Sequence, residues 1–355
     1  MRKPRVKVES GYYHVMSRCA LQAYLFEHDD KVKEMFLVML QRAAIFSGVK
    51  VVNYCVMDNH FHLLIYVPKR EEVSNEELEE RIQVLYSAKR AQQILDRWKH
   101  LEEEGDNGGV VERERTAMRK RMYDLSEFMK TFKQRFTLWY CSHHDNLEGT
   151  IWQGVFHSVL IQGRQDALGA VSSYITLNPV RAGMVKDPGE YAWSSYGAAC
   201  AGDASVRRAL LSTYFGKNTI EEKWNAYKAM IQIKTAETAE AKDVVSGDSS
   251  EEQKDEGSIK VQAGEEAKQA AEQRTVAVAM REQDGAMARG LAFGTSKFVK
   301  ASVDKFCTPE TGYPAARPKV LGERKMLLFC TGRLTQHGKR KWHYSIVRKE
   351  NDTTA

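Results

Sequence analysis

The stretch Cys55–Val67, CVMDNHFHLLIYV, decides how this 355-residue chain is read. Leu63 to Val67 is apolar or aromatic without interruption, and the run before it, VKVVNYCVM (Val49–Met57), is equally strand-like. Only Asp58 and Asn59 separate the two, residue types that suit a tight turn, so the pair predicts a β-hairpin. Side chains alternate along a strand, which puts His60 and His62 on one face and Phe61 on the other, toward a core. Two imidazoles one pleat apart can share a metal ion, or they can be filler satisfied by hydrogen bonds. The pair alone supports both readings.

Upstream, GYYHVMSRC (Gly11–Cys19) is a short β-prone run. Asp29–Ser47 shows apolar residues at helical spacing with acids in its first turn, and Gly48 stops it. The first 67 residues therefore read β-α-β-β. Downstream, Pro68–Met122 is charge-dense and helical in spacing, broken by GDNGG, and reads as a solvated helical insertion. Tyr123–His144 is strongly amphipathic, TIWQGVFHSVLI after Gly149 is strand-like, and Gln165–Leu177 is a helix ended by Asn178 and Pro179, since the residue before proline is pushed out of the helical region. This order predicts an α+β fold of the ferredoxin-like, split βαβ kind with a central antiparallel sheet. EYAWSSYGAACAG (Glu190–Gly202) and Val206–Ile233 add a helical extension. The predicted organisation is a domain over 1–202 with the insertion at 68–122, a helical extension at 203–234, a linker at 235–290 and a C-terminal module or docking tail at 291–355.

A hydrophobic content of 43% suits a sizeable buried core. The start, MRKPRVKVESGYYHV, lacks an apolar signal core, and no window approaches the roughly eighteen apolar residues of a membrane span, so a cytoplasmic protein with no membrane partner is expected. Six cysteines lie far apart without a C-x-x-C pair, which argues against a zinc ribbon or a disulfide framework and for reduced thiols. The net charge of +6 averages unlike segments. Thr235–Gly290 holds 7 Lys+Arg against 13 Asp+Glu and no Phe, Trp or Tyr, so it cannot bury enough apolar surface to order itself. The rest carries a balance of +12, and Leu291–Ala355 alone has 13 basic against 5 acidic residues, a charge that suits a polyanion such as nucleic acid.

Tyr174 and Asn178 are four apart at the end of a predicted helix and so share one of its faces. Taken singly, Asn178 reads equally well as an N-cap with Pro179 at the first position of the next turn, and Tyr174 as a core-edge residue. Taken with the histidines they fit one chemistry. Two imidazoles and a carboxamide oxygen would hold a divalent ion on a phosphodiester, and a tyrosine hydroxyl, with a free pKa of about 10, needs such help to act as a nucleophile.

YHVMSRC, YCVMDNHFHLLI, DLSEFMKTFKQRF, GTIWQGVFHSVLI and SYITLNPVRAGMV, in this order from about Tyr12 to Gly202, resemble the HUH-type single-tyrosine transposases, in particular the REP-associated tyrosine transposase branch with its IS200-like domain. The resemblance implies a DNA single-strand nuclease and strand transferase that forms a 5′-phosphotyrosine link. It implies Tyr174 as nucleophile, His60, His62 and Asn178 as metal ligands, Mg²⁺ or Mn²⁺ as the ion, and single-stranded or hairpin DNA from palindromic repeats as partner. Arg18, Lys130, Lys133, Arg135 and Arg181 are the candidate DNA contacts, and Val155 and His157 stand where the family commonly has Arg and Lys. Two other classes stand beside it: a domesticated protein that holds hairpins without cutting, and a zinc-bound structural protein using His60, His62 and Cys55. The sequence leaves open whether the protein is a monomer or a homodimer.

Overall fold

The computed structural model describes residues 6–20, 23–27, 29–106, 108–144, 150–214, 219–246, 292–295, 298–299, 301–302, 319–321 and 326–329. Strand β1 (Gly11–Arg18), helix α1 (Asp30–Ser47) and the strands β2 (Lys50–Val56) and β3 (His60–Val67) open the fold. Asp29 accepts from the Val32 N–H as N-cap, and Gly48, at φ 67°, closes α1 in the left-handed conformation. Met57 N–H donates to His60 O at 2.8 Å, so Asp58 and Asn59 alone form the hairpin turn, as their residue types predict.

The insertion forms α2 (Asn75–Leu85), α3 (Ala88–Glu103) and α4 (Val110–Lys120). It is less solvated than its charge suggests, because Leu78, Ile82, Leu85, Trp98 and Val111 join the main core. Many of its charges pair with one another: Arg115 bridges to Glu102 at 2.5 Å and lies over the Trp98 ring. Helix α5 (Leu125–His143) starts at Asp124, whose carboxylate caps Ser126 and Glu127. Only the second half of TIWQGVFHSVLI is a strand, β4 (His157–Ile161). Gly154, at φ 114°, turns the chain out of extended geometry, and Trp152 before it is buried, its indole donating to Thr137.

The sheet order β2-β3-β1-β4 is fully antiparallel and puts β3 between the two strands that flank α1, the split βαβ arrangement expected from the sequence. One face, with Val15, Phe61, Leu63 and Ile65, packs on α1 and α5. Phe61 sits against Phe36 and Phe132, at ring-centroid distances of 4.9 and 6.0 Å. The other face, with Leu64, Val159 and Ile161, packs on α6 (Gln165–Thr176) through Leu168, Val171 and Ile175.

Beyond α6 lie the short helix α7 (Asn178–Arg181), a 3-10 turn at Pro188–Glu190, α8 (Ser195–Cys200), α9 (Ala204–Leu211) and α10 (Ile220–Ser246). This extension covers the open edge of β2: Val56 N–H donates to Trp193 O, Tyr54 N–H to the Ser195 hydroxyl, and the Tyr191 hydroxyl to Val56 O. Gly197 lies so close to the Tyr191 carbonyl that a Cβ would fall 2.0 Å from it, so only glycine fits. Helix α10 runs past Thr235, where the sequence places a linker, because packing there buries Thr238; the remainder of that linker lies outside the described residues. From the C-terminal module, β5 (Ala292–Gly294) pairs parallel with β4, and β6 (Lys319–Leu321) and β7 (Met326–Phe329) extend the sheet to seven strands in the order β2-β3-β1-β4-β5-β7-β6. Among the described residues the central strands keep the antiparallel pairing expected from the sequence, and β5 adds one parallel pair at the β4 edge. The rest of the module lies outside the described residues. No described helix is long and apolar enough to cross a membrane, and Cys19, Cys55, Cys141 and Cys200 are free thiols.

Phe61→Ala removes a ring enclosed between two helices and one sheet, and is expected to cost about 3–5 kcal/mol of stability in urea unfolding.

Candidate catalytic centre

In antiparallel pairing, directly opposed residues share a face. Met16 opposes His62 and Arg18 opposes His60, so His14, Met16, Arg18, His60 and His62 all belong to the face covered by α6. His62 is 2% exposed and His60 is half-buried at the strand end beside exposed Arg18. The hairpin tip that carries His60 is held from several sides. Asp58 takes an ion pair from Lys33 at 2.9 Å, and the carbonyls of Asp58 and Asn59 accept from Phe26 and Cys19.

Helix α6 is set in rotation about its own axis by a buried polar knot. A pairing irregularity between Val51 and Asn53 occurs where Asn53 turns to α6. Its Nδ2 donates to Ser172 Oγ at 3.0 Å and Thr176 Oγ1 at 3.3 Å, and the Tyr227 hydroxyl from α10 bonds both hydroxyls at 3.0 and 2.8 Å. Ser172 and Thr176 are one turn apart, and Tyr174 lies between them in sequence and so on the far side of the helix. That rotation lays the Tyr174 ring edge-on to His62 and His14, at 5.6 and 5.5 Å between centroids, with Tyr174 only 5% exposed.

One turn on, Asn178 is 9% exposed. Its side chain caps nothing in α7; Nδ2 donates back to the carbonyls of Tyr174 at 3.0 Å and Ile175 at 3.3 Å. Those two oxygens can only accept, so the amide must present nitrogen to them, and Oδ1 is the atom left for another partner. The Arg181 guanidinium lies over the Tyr174 ring at 4.3 Å and donates to the Tyr174 carbonyl.

Burial, and then the charge of Arg18, lowers the His60 pKa to about 4. Burial also holds His62 well below its usual range, with His60, His14, Arg181 and Arg18 adding to the effect. Both rings are neutral at pH 7 and keep a lone pair, which is the state a cation requires. The His60 Nδ1 lies 2.7 Å from Asn59 Oδ1, an acceptor, so its lone pair is on Nε2. Two neutral imidazoles and a carboxamide oxygen are donors of the kind that would suit a divalent cation. A closed zinc site is not formed: among the described residues no three His, Cys, Asp or Glu side chains converge on one point. Cys55, opposite His62 in the hairpin, is buried beside Met57, and burial raises its thiol pKa, which disfavours a ligating thiolate.

The other predicted contacts separate. Lys130, Lys133 and Arg135 lie on α5, across the sheet from Tyr174. Lys130 is exposed, with Glu127 at 3.5 Å, and Arg135 stacks on Tyr86. Lys133 is turned inward: it is 9% exposed, and its ammonium donates to Ser17 Oγ at 2.9 Å and Gly154 O at 2.8 Å. His14 and Asn59 enter the centre without having been singled out. Asn59 adjoins the histidine motif in sequence, whereas only the β1–β3 register brings His14 there.

Residues 7–103 match the family described as "Transposase IS200 like", so the resemblance read from the sequence is borne out over that stretch. It contains His14, His60 and His62, and Tyr174 and Asn178 lie beyond it. No curated protein matches the chain. Among solved structures, the chain is similar to a REP-associated tyrosine transposase bound to a REP hairpin, at 15% identity over 61% of this chain and 92% of that one, with a TM-score of 0.36. It is also similar to a candidate transposase from Deinococcus radiodurans R1, at 14% identity over 49% of this chain and 95% of that one, with a TM-score of 0.24.

Burial lowers the Lys133 pKa to about 8, while the unfolded chain keeps that proton to about 10.4. Between these values the unfolded state binds more protons, so Lys133 makes stability rise with pH, by roughly 3 kcal/mol in all. Lys133→Met is expected to flatten that rise in urea unfolding followed from about pH 7.5 to 10.5.

Proposed function

We propose that this chain, whose residues 7–103 match the IS200-like transposase family, is a metal-dependent DNA strand transferase that cleaves single-stranded DNA beside a hairpin and rejoins it. The observation that carries the reading is the convergence of Tyr174 of α6 with His62 of β3, distant in sequence and 5.6 Å apart between ring centroids. A tyrosine ring against neutral histidines, with an amide oxygen one helical turn away, is an arrangement suited to attack on a phosphodiester.

In this reading a divalent cation, Mg²⁺ or Mn²⁺, held by His60, His62 and the Oδ1 of Asn178, would polarise the phosphoryl oxygens and ease loss of the tyrosine proton. Tyr174 Oη attacks phosphorus. A P–Oη bond forms, the P–O3′ bond breaks, and the departing 3′-oxygen ends with the proton that the tyrosine hydroxyl gives up. The products are a 5′-phosphotyrosine and a free 3′-hydroxyl, and the reverse attack by a 3′-hydroxyl rejoins the strand. The bond energy is conserved in the covalent link, so the cycle needs no nucleotide hydrolysis. Arg181 places a permanent positive charge over the attacking residue, where charge builds on the phosphoryl group. Arg18, exposed beside half-buried His60, gives the site its open, cationic end, through which a phosphate backbone enters. The basic balance of the chain outside its acidic segment supports a polyanionic substrate.

A second reading, a hairpin-binding protein that does not cut, is favoured by the thinner set of surface cations: Val155 and His157 are exposed without permanent charge, and Lys133 is turned inward.

The test is incubation of the full chain with a hairpin oligonucleotide carrying a single-stranded 5′ flank and Mn²⁺, followed by denaturing electrophoresis. The wild type is expected to yield a covalent protein–DNA band. Tyr174→Phe is expected to yield none while binding DNA within a few-fold of wild type. A band that survives in Tyr174→Phe removes Tyr174 from its role, and binding by the wild type without cleavage of any palindromic flank tested decides for the second reading.

A further inference from the structure

A neutral imidazole carries one N–H and one lone pair, so a histidine that ligates a cation through one nitrogen must hold its proton on the other, and a neighbour must accept it. For His60 that neighbour is Asn59 Oδ1, at 2.7 Å. For His62 it is another imidazole. His62 Nδ1 lies 3.0 Å from Nε2 of His14, and both side chains are buried.

The ring planes are 8° apart and the centroids 5.2 Å apart. At that centroid distance a 3.0 Å nitrogen contact is nearly the shortest two imidazoles can make, so the rings lie end to end in one plane. They share one proton along the line between them. Each of the facing nitrogens points at the other, and so the two do not aim their lone pairs at a common third point. This agrees with the lack of a three-histidine cluster among the described residues. His14 is therefore next to the candidate cation site without being a ligand.

The shared proton has two solutions. When His14 donates, the neutral His62 ring carries its own proton on Nε2 and has no lone pair there. When His62 donates, Nε2 is free.

We propose that His14 is a positioning residue: by accepting the Nδ1 proton of His62 it fixes the tautomer and ring orientation in which His62 Nε2 can hold a divalent cation. This rests on the reading of His60, His62 and Asn178 as ligands. His14 also touches the Tyr174 ring edge-on, at 5.5 Å, so one side chain on β1 sets both the ligand and the ring beside it.

The experiment measures Mn²⁺ affinity of the full chain without DNA, from the free-ion signal in electron paramagnetic resonance. His14→Phe keeps a flat ring against Tyr174 and removes the acceptor; it is expected to weaken Mn²⁺ binding about 10–100-fold. His14→Gln, whose amide oxygen can accept the same proton, is expected to recover most of that loss. Long-range ¹H–¹⁵N correlation on the wild-type chain supplies a readout that needs no variant: His62 is expected as the Nδ1–H tautomer. Wild-type affinity in His14→Phe, with binding lost in His62→Ala, overturns the role of His14 alone. An Nε2–H tautomer at His62 overturns it as well. Mn²⁺ affinity unchanged by both His60→Ala and His62→Ala overturns the ligand reading beneath it and the role of His14 with it.

Discussion

The register of β1 against β3 is the constraint on which the centre depends. Met16 faces His62 and Arg18 faces His60 because the strands pair with this offset and no other. A slip of one residue would turn His60 and His62 toward α1 and α5 and drive Phe61 out of its aromatic pocket. The register is held by burial on both faces: Phe61, Leu63 and Ile65 are committed to one layer, Leu64 to the other. The same apolar residues that make β3 a strand therefore aim its histidines, and packing energy and site geometry cannot be altered separately there.

The helix over that face is aimed by a different means. Apolar packing alone tolerates some rotation of a helix about its axis, but the hydroxyls of Ser172 and Thr176 meet Asn53 on one side and Tyr227 on the other. Buried polar groups must find their partners, so this knot penalises rotation sharply. Tyr227 belongs to α10, and so the helical extension takes part in setting the direction of Tyr174.

The local parts of this structure were legible in the sequence. Asp58 and Asn59 announced the turn, alternation put Phe61 opposite the histidines, and Gly48 and Pro179 marked helix ends, since each depends on neighbours along the chain. The IS200-like character was legible too, through motifs such as YCVMDNHFHLLI. What was hidden depends on partners far away in sequence. Nothing in DLSEFMKTFKQRF tells Lys133, turned inward to Ser17 and Gly154, from Lys130, which stays at the surface. Composition made Thr235 the start of a linker, yet tertiary packing carries α10 beyond it. His14 in YYHVM was one more polar residue in a strand until the register set it against His62.

The parallel pairing of β5 with β4 gives the sheet a temporal asymmetry. Its β2 edge is sealed by Trp193 to Ser195, residues made soon after the core itself. The β4 edge waits for Ala292 and Phe293, which pair with Leu160 and Ile161 and leave Gln162 bonded to Phe293 and Thr295. On the ribosome the four core strands and α6 can therefore assemble while one flank still shows unpaired amides, and the long acidic segment is synthesised in that interval. That segment holds 7 Lys+Arg against 13 Asp+Glu and no aromatic residue, so a run of net negative charge separates the core, in order of synthesis, from the strand that closes its edge.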